Sequence, residues 1–276
     1  MTNAHFTVLG ASGYIGSRLV AYLRNQGHTV WAPARGDAEV FTRSLGHVIY
    51  CVGLTADFRM RPFDTVDAHV GLLAEVLRRA QFDSLLYLSS TRVYMGAAVT
   101  DEHAPLTVVP GDPSFLYNLS KLTGEALCHA SSRTGVRVAR LSNVVGPGMD
   151  TASGNLLADL LHQARQGQVV LRSDPRSAKD YVHVADVLDW LPRIALQGRA
   201  TVYNVASGRQ TMHAQWLDWL QQRTGCSVQV QPGAPLQLFP LIIVSRLQSE
   251  WAVLPRPVFD DDLLILNDDP VGVIPP

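Results

Sequence analysis

Phe6-Thr7-Val8-Leu9-Gly10-Ala11-Ser12-Gly13-Tyr14-Ile15-Gly16 carries an apolar, strand-like run through three glycines into the start of a helix. Ile15, Leu19 and Leu23 then recur at i, i+4 and i+8, one face of a helix that stops near Gly27. In such a junction the first glycine permits the tight turn. The second lets backbone approach a pyrophosphate, and the third lets helix pack closely on strand. Free N–H groups at the helix N-terminus then favour phosphate. Glycines at this spacing also serve plain strand–helix turns, so the flanking strand and helix are what make the pattern a dinucleotide-binding candidate.

The alternation continues outward from this junction. His28 to Ala34 reads as strand two and Val48 to Val52 as strand three. Val66 to Ala80 reads as a helix with Val66, Val70, Leu73 and Leu77 on one stripe. Leu85-Leu86-Tyr87-Leu88 is strand four, ending at Ser89-Ser90. Asp112-Pro113 starts a helix, with Asp as N-cap and Pro in the first turn, that runs past Tyr117 and Lys121 to about Ser132. Val136 to Leu141 is strand five. Strands alternating with helices predict βαβ units and a parallel sheet, an α/β fold of the doubly wound Rossmann type. Beyond about residue 150 the pattern loosens to a helix near 155–166, a strand at 202–205 and a helix near 214–223. The expectation is a cofactor-binding domain over 1–150 and a smaller substrate-binding region over 151–276, interleaved with the sheet, with a Pro-rich, acidic tail.

Composition excludes several classes. Of 276 residues, 47% are hydrophobic and 17% charged, a globular balance, and the formal net charge of −1 includes no basic block. Nucleic-acid binding, which depends on concentrated positive charge, is not expected. The longest apolar run, Leu238 to Val244, falls far short of the roughly 20 residues that span a bilayer. The first residues pass directly into a strand without a signal-peptide core, and Cys51, Cys128 and Cys226 are odd in number and widely spaced. A reduced, cytoplasmic setting with three buried thiols is expected. No metal is expected: Asp260-Asp261-Asp262 reads as a solvated helix cap, and the nine histidines form no ligand pattern.

Two features bear on chemistry. Where NAD-preferring sites carry a carboxylate at the end of strand two, this chain has Pro33-Ala34-Arg35. An arginine there pairs with a 2′-phosphate, so NADP(H) is favoured over NAD(H), with Asp37 as counter-candidate for the ribose hydroxyl. Tyr117 and Lys121 lie four residues apart, on one helix face. A free phenol titrates near pH ~10, and a neighbouring ammonium favours the phenolate and moves it toward working range.

With Gly10–Gly16 and Tyr117–Lys121, four further segments complete a pattern. These are Ser89-Ser90-Thr91-Arg92-Val93-Tyr94, Arg140 to Gly148, Lys179-Asp180-Tyr181-Val182-His183-Val184-Ala185-Asp186-Val187 and Val202 to Gly208. Over about residues 5–225 the chain resembles the extended short-chain dehydrogenase/reductases of the NAD-dependent epimerase/dehydratase type, which modify nucleotide sugars. The resemblance implies that Ser90 bonds the substrate oxygen, Tyr117 transfers the proton and Lys121 tunes Tyr117 while holding the cofactor ribose. It assigns Gly10, Ser12, Gly13, Tyr14, Ile15, Gly16, Arg35, Val52 and Gly53 to the cofactor, Thr91, Asn143 and Lys179 to the substrate, and His183 to a structural role. It also implies a homodimer.

Departures narrow the reading. Lys179 stands where the family's arginine meets a diphosphate, which keeps the charge but loses the bidentate fork. A second arginine expected near Gln231-Pro232-Gly233 is missing, leaving Arg209 or Arg246 as substitutes. Thr91-Arg92 replaces the acidic pair of the sugar dehydratases, and Met95 replaces the glycine after Tyr94. Reduction of a keto group on a nucleotide-linked sugar or similar polyol-like ketone is the expectation. A nucleotide-sugar epimerase with retained cofactor, a reductase of a small non-nucleotide ketone and a non-catalytic NADP(H) sensor are the alternatives.

Overall fold

The computed structural model describes residues 3–55, 57–149 and 155–264. Six parallel strands make the central sheet: β1 (His5–Leu9), β2 (Thr29–Trp31), β3 (His47–Tyr50), β4 (Ser84–Ser90), β5 (Val136–Leu141) and, after a long detour, β9 (Val202–Val205). Their spatial order is β2-β1-β3-β4-β5-β9. The chain winds from β1 to β2 in one direction, then returns across β1 to lay β3 on its other side. That reversal opens a crevice beyond the carboxyl ends of β1 and β3, the place where open α/β sheets bind ligands.

Helices cover both faces, as an all-parallel sheet requires. On one side α1 (Tyr14–Asn25) and α6 (Val184–Gln197) bury Leu19, Leu23, Val187, Trp190 and Leu191 against Phe6, Val8, Ile49 and Leu86. On the other, α3 (Leu72–Arg79) and α4 (Leu116–Ala130) pack over Tyr50, Leu85 and Tyr87, with α2 (Pro62–Val66) leading into α3.

The remaining elements are β6 (Asn143–Val145), α5 (Leu156–Arg165), β7 (Gln168–Leu171), β8 (Ala178–His183), β10 (Gln210–Met212), α7 (His213–Thr224), β11 (Ser227–Val230) and α8 (Ser245–Trp251). β8 pairs parallel with β6 and antiparallel with β10, while β7 and β11 form a separate parallel pair. Their core gathers Trp216, Trp219, Leu157, Leu161 and Tyr181. Because β9 belongs to the central sheet, the second half of the chain contributes to both layers.

Two expectations need correction. Strand two ends at Trp31 rather than Ala34, because it is an edge strand held by three register pairs to β1 and Pro33 has no N–H to continue the ladder. The stripe assigned to Val66–Ala80 is also displaced. A π-helical turn over Asp67–Gly71 separates α2 from α3. The inserted residue rotates the earlier turn, so Thr65 and His69 face inward with Leu73 and Leu77, while Val66 is 38% exposed. The 150/151 boundary and the chain from 265 onward, with most of the Pro-rich tail, lie outside the described residues.

Candidate active site

The glycine junction forms as the sequence predicts. Gly10 adopts φ +81°, and a Cβ at Gly16 would fall 2.3 Å from the Gly10 carbonyl oxygen, so the turn and helix α1 close on each other as only glycines allow. α1 starts from Gly13 with no side-chain cap and no acidic residue in its first turn. Its leading N–H groups therefore face the crevice without an internal acceptor, the arrangement that suits a pyrophosphate. Arg18 anchors this turn across the crevice, donating to the carbonyls of Tyr14, Pro147 and Gly148 at 3.0, 2.8 and 3.0 Å.

Gly13, Tyr14, Ile15 and Gly16 form one end of a cavity of about 460 Å³, with Val52 and Gly53 beside them at the tip of β3. Ser90, Thr91, Tyr117, Lys121, Asn143 and Lys179 all line the same cavity. Gly10 works behind it as the turn. Ser12 and Arg35 are exposed and lie outside its lining. Asp37, the counter-candidate to Arg35, accepts the Glu39 N–H at 2.9 Å through one carboxylate oxygen as the cap of a short 3₁₀ turn.

Ser90 ends β4, and its Oγ accepts the Arg92 N–H at 3.2 Å; the hydroxyl serves as a strand-end cap and still faces the cavity. Tyr117 lies in the first turn of α4 and is buried. Burial raises the pKa of its phenol, opposed by the Ser90 hydroxyl and then by the charge of Arg92. Lys121, one turn on, is 4% exposed and donates from Nζ to the Leu88 carbonyl at 2.8 Å. Burial pulls this lysine down to about 7, with Glu125 the first group resisting. Burial therefore works against the cation expected to hold the phenol down, and the charge that opposes burial at Tyr117 is that of Arg92.

Several residues that sequence reasoning missed complete the site. His69, fully buried on the π-helical turn, stands edge-on to the Tyr117 ring at 5.3 Å. Its Nε2 accepts the Leu54 N–H at 3.3 Å, so Nδ1 carries the proton and donates to Ser120 Oγ at 2.8 Å; Ser120 in turn donates to the Tyr117 carbonyl at 3.0 Å. Burial and Lys121 push this histidine down to about 2, which keeps it neutral. It ties the loop after β3 to the turn that carries Tyr117. Only the break in helical periodicity could have pointed to it. Cys51, expected to be buried, is half-buried and lines the cavity because the chain must pass close to Gly10 there. Phe58, Tyr181 and Phe239 supply apolar wall.

Other parts of the motif segments hold the scaffold. Arg140 pairs with Glu125 beneath the sheet, and Ser89 donates to the same carboxylate. Arg140 also donates to the Tyr94 hydroxyl at 2.7 Å, which donates to Asn204 at 2.9 Å. Asp180 accepts the N–H groups of Ser207 and Arg209. His183 caps α6 by accepting the Ala185 N–H, the structural role expected of it. Asn143 donates to the Asp180 carbonyl at 2.8 Å. Neither proposed substitute arginine reaches the cavity: Arg209 is exposed, and Arg246 is bound to the Val202 carbonyl and His103 and lies 3.7 Å from Glu102.

Residues 6–206 match the model of the NAD dependent epimerase/dehydratase family. The chain belongs to that family. It is thus an NAD(P)-dependent enzyme of the oxidoreductase and epimerase class. Among curated relatives, a dTDP-4-dehydro-6-deoxy-D-allose reductase from a Streptomyces species is 24% identical, with 74% of this chain and 76% of that one covered. MoeE5 in complex with UDP-glucose and NAD superposes with a TM-score of 0.78 at 21% identity, covering 96% and 97% of the two chains. RMD from Pseudomonas aeruginosa complexed with NADPH gives 0.74 at 22% identity, covering 96% and 99%. Among the described residues, no helix is long and apolar enough to cross a membrane, and no group of His, Cys, Asp and Glu could hold a metal ion.

Proposed function

We propose that this family member uses NADPH to reduce a keto group on a nucleotide-linked sugar. The observation that carries the reading is the convergence of Ser90, Tyr117 and Lys121 on the cavity that begins at the glycine junction. The bound nicotinamide supplies hydride. Ser90 hydrogen-bonds the ketone oxygen and orients it, Tyr117 donates its phenolic proton to that oxygen as charge develops, and the Lys121 and Arg92 cations stabilise the phenolate left behind. The raised pKa of Tyr117 keeps the phenol protonated, the form a reductase needs.

Three observations refine the proposal. Arg35 stands exposed beyond β2, where a guanidinium suits the 2′-phosphate of NADP(H). Among the described residues no Asp or Glu lines the cavity, which removes the acid and base that elimination of water would use. The curated relative is a reductase of a nucleotide-linked keto-sugar, and MoeE5 holds nucleotide sugars, UDP-glucose and UDP-glucuronic acid. We further propose that Lys179 meets the diphosphate and that the enzyme is a homodimer.

The test is stoichiometry. Purified protein supplied with NADPH and dTDP- or UDP-linked 4-keto-sugars is expected to oxidise one equivalent of NADPH per alcohol formed. Isomerisation without net cofactor oxidation would contradict the reductase and support an epimerase.

A further inference from the structure

Among the described residues, the charges that line the cavity are all of one sign. Among the described residues Arg92, Lys121 and Lys179 contribute to its wall, and no carboxylate does. Lys121 is engaged with the Leu88 carbonyl. Neither of the other two makes an ion pair among the described residues. Lys179 rests over the Phe239 ring, 5.1 Å from its centroid, on the wall formed by β8. Arg92 belongs to the catalytic turn itself, two residues after Ser90, with its backbone N–H held by the Ser90 hydroxyl. The two cations therefore approach the cavity from separate elements and do not duplicate each other.

Arg92 is also held in position. Its Nε donates to Asn118 Oδ1 at 3.1 Å, and Asn118 Nδ2 donates back to the Arg92 carbonyl at 3.1 Å. Asn118 is fully buried and adjacent to Tyr117. The guanidinium lies 5.7 Å from the Phe58 ring, which lies 5.5 Å from the Tyr117 ring. One terminal nitrogen reaches the Ser114 carbonyl only at 3.5 Å, and the other has no partner among the described residues. Asp112, the carboxylate whose charge acts on Arg92, is exposed and accepts the Ser114 N–H at 2.8 Å. A half-buried, oriented guanidinium with open donors beside the acid–base group is a cation prepared for an anion that arrives with the substrate.

We infer that the substrate carries a carboxylate on the carbon skeleton that bears the reacting carbonyl, as a sugar of the uronic acid class does, and that Arg92 binds it. The inference rests on the reading of this cavity as the hydride-transfer site. A planar fork matches a carboxylate in a way that the point charge of Lys179 does not. Lys179 remains for a second anionic group farther along the molecule, and Arg59, exposed over Phe58, adds to a field that draws a ligand with two anionic groups inward.

The experiment is a titration of NADPH-loaded protein with UDP-glucuronic acid and UDP-glucose, which differ only at C6, a carboxylate in the first and a hydroxymethyl group in the second. UDP-glucuronic acid is expected to bind about tenfold tighter or better. Arg92→Gln should bring the two within about twofold by weakening the acid alone, whereas Lys179→Gln should weaken both in parallel. If Arg92→Gln fails to bind NADPH, Arg92→Lys carries the test, with the preference expected to fall by about threefold or more. Equal affinities in the native enzyme, or a preference that survives the Arg92 substitution, would overturn the inference. Arg92-dependent binding of free glucuronate without either UDP-sugar would keep the carboxylate and remove the nucleotide. No binding of any of the three at millimolar concentration would overturn it. Because binding is read without turnover, failure of the reductase reading leaves these outcomes intact.

Discussion

At the end of the cavity proposed for the cofactor, one strand–helix junction and the tip of the adjacent strand make the wall: Gly13 to Gly16, then Cys51 to Gly53. At the end proposed for the substrate the wall is drawn from Phe58, Arg92, Asn143, Lys179, Tyr181 and Phe239, residues spread over more than half of the chain. The first end is fixed by local geometry, since a tight turn and a helix N-terminus need only contiguous residues to bind phosphate. The second exists only after β4, β6 and β8 have been brought together. A contiguous site depends on few long-range contacts. A dispersed one lets single substitutions change what is bound.

The largest expected effect falls where the two ends meet. Tyr117→Phe should lower kcat by about 10²–10⁴-fold, the range of acid–base catalysis, with NADPH affinity nearly unchanged. Steady-state rates beside a fluorescence titration of cofactor check this, and unchanged turnover would remove the tyrosine from the chemistry. Gly16→Ala probes the contiguous end. Its methyl would meet the Gly10 carbonyl oxygen at 2.3 Å, so a loss of about 1–3 kcal/mol in stability and a steep loss of NADPH binding are expected. Thermal melts with and without NADPH read both.

Smaller effects sharpen the contrast. Arg35→Ala should raise the KM for NADPH by about tenfold and leave that for NADH unchanged, the loss of one charge-assisted contact. Parallel shifts for both cofactors would show that Arg35 does not read the 2′-phosphate. Lys121 gives a pH signature. Burial holds it near 7 in the folded enzyme against an ordinary value of 10.5, so the unfolded chain binds the extra proton between those limits. Stability contributed at this position therefore rises with pH across that window, and the cost of burying the charge is full below about pH 7. Lys121→Met should accordingly raise the melting temperature by about 3 °C or more at pH 6, with the gain shrinking toward pH 10. Melting curves across pH decide it, and a gain that grows with pH would contradict the assignment.

The same contrast explains what was legible before the fold was known. Gly10–Gly16, the strand ending at Ser90 and the Tyr117–Lys121 spacing are short-range patterns, and each occupies the predicted element. The displaced stripe at Val66 and Val70 failed because a π-helical turn adds a residue that regular periodicity has no room for, and His69 was hidden with it. The substitute arginines failed for a different reason. Arg246 is drawn to Val202, His103 and Glu102 by contacts between β9, α8 and the segment after β4, and no spacing along the chain reveals such contacts. Arg92 was visible as a missing acid, but its orientation by Asn118 depends on α4 packing beside the turn that follows β4.

The most direct test of the joined cavity is isotopic. NADPH deuterated at the transferable position of C4 is incubated with the keto-sugar substrate and the product analysed by mass spectrometry and NMR. Hydride transfer across the cavity predicts one deuterium on the carbon of the former ketone, and none with Tyr117→Phe over the same interval. Product that forms without deuterium at that carbon, while the cofactor keeps its label, would contradict the account.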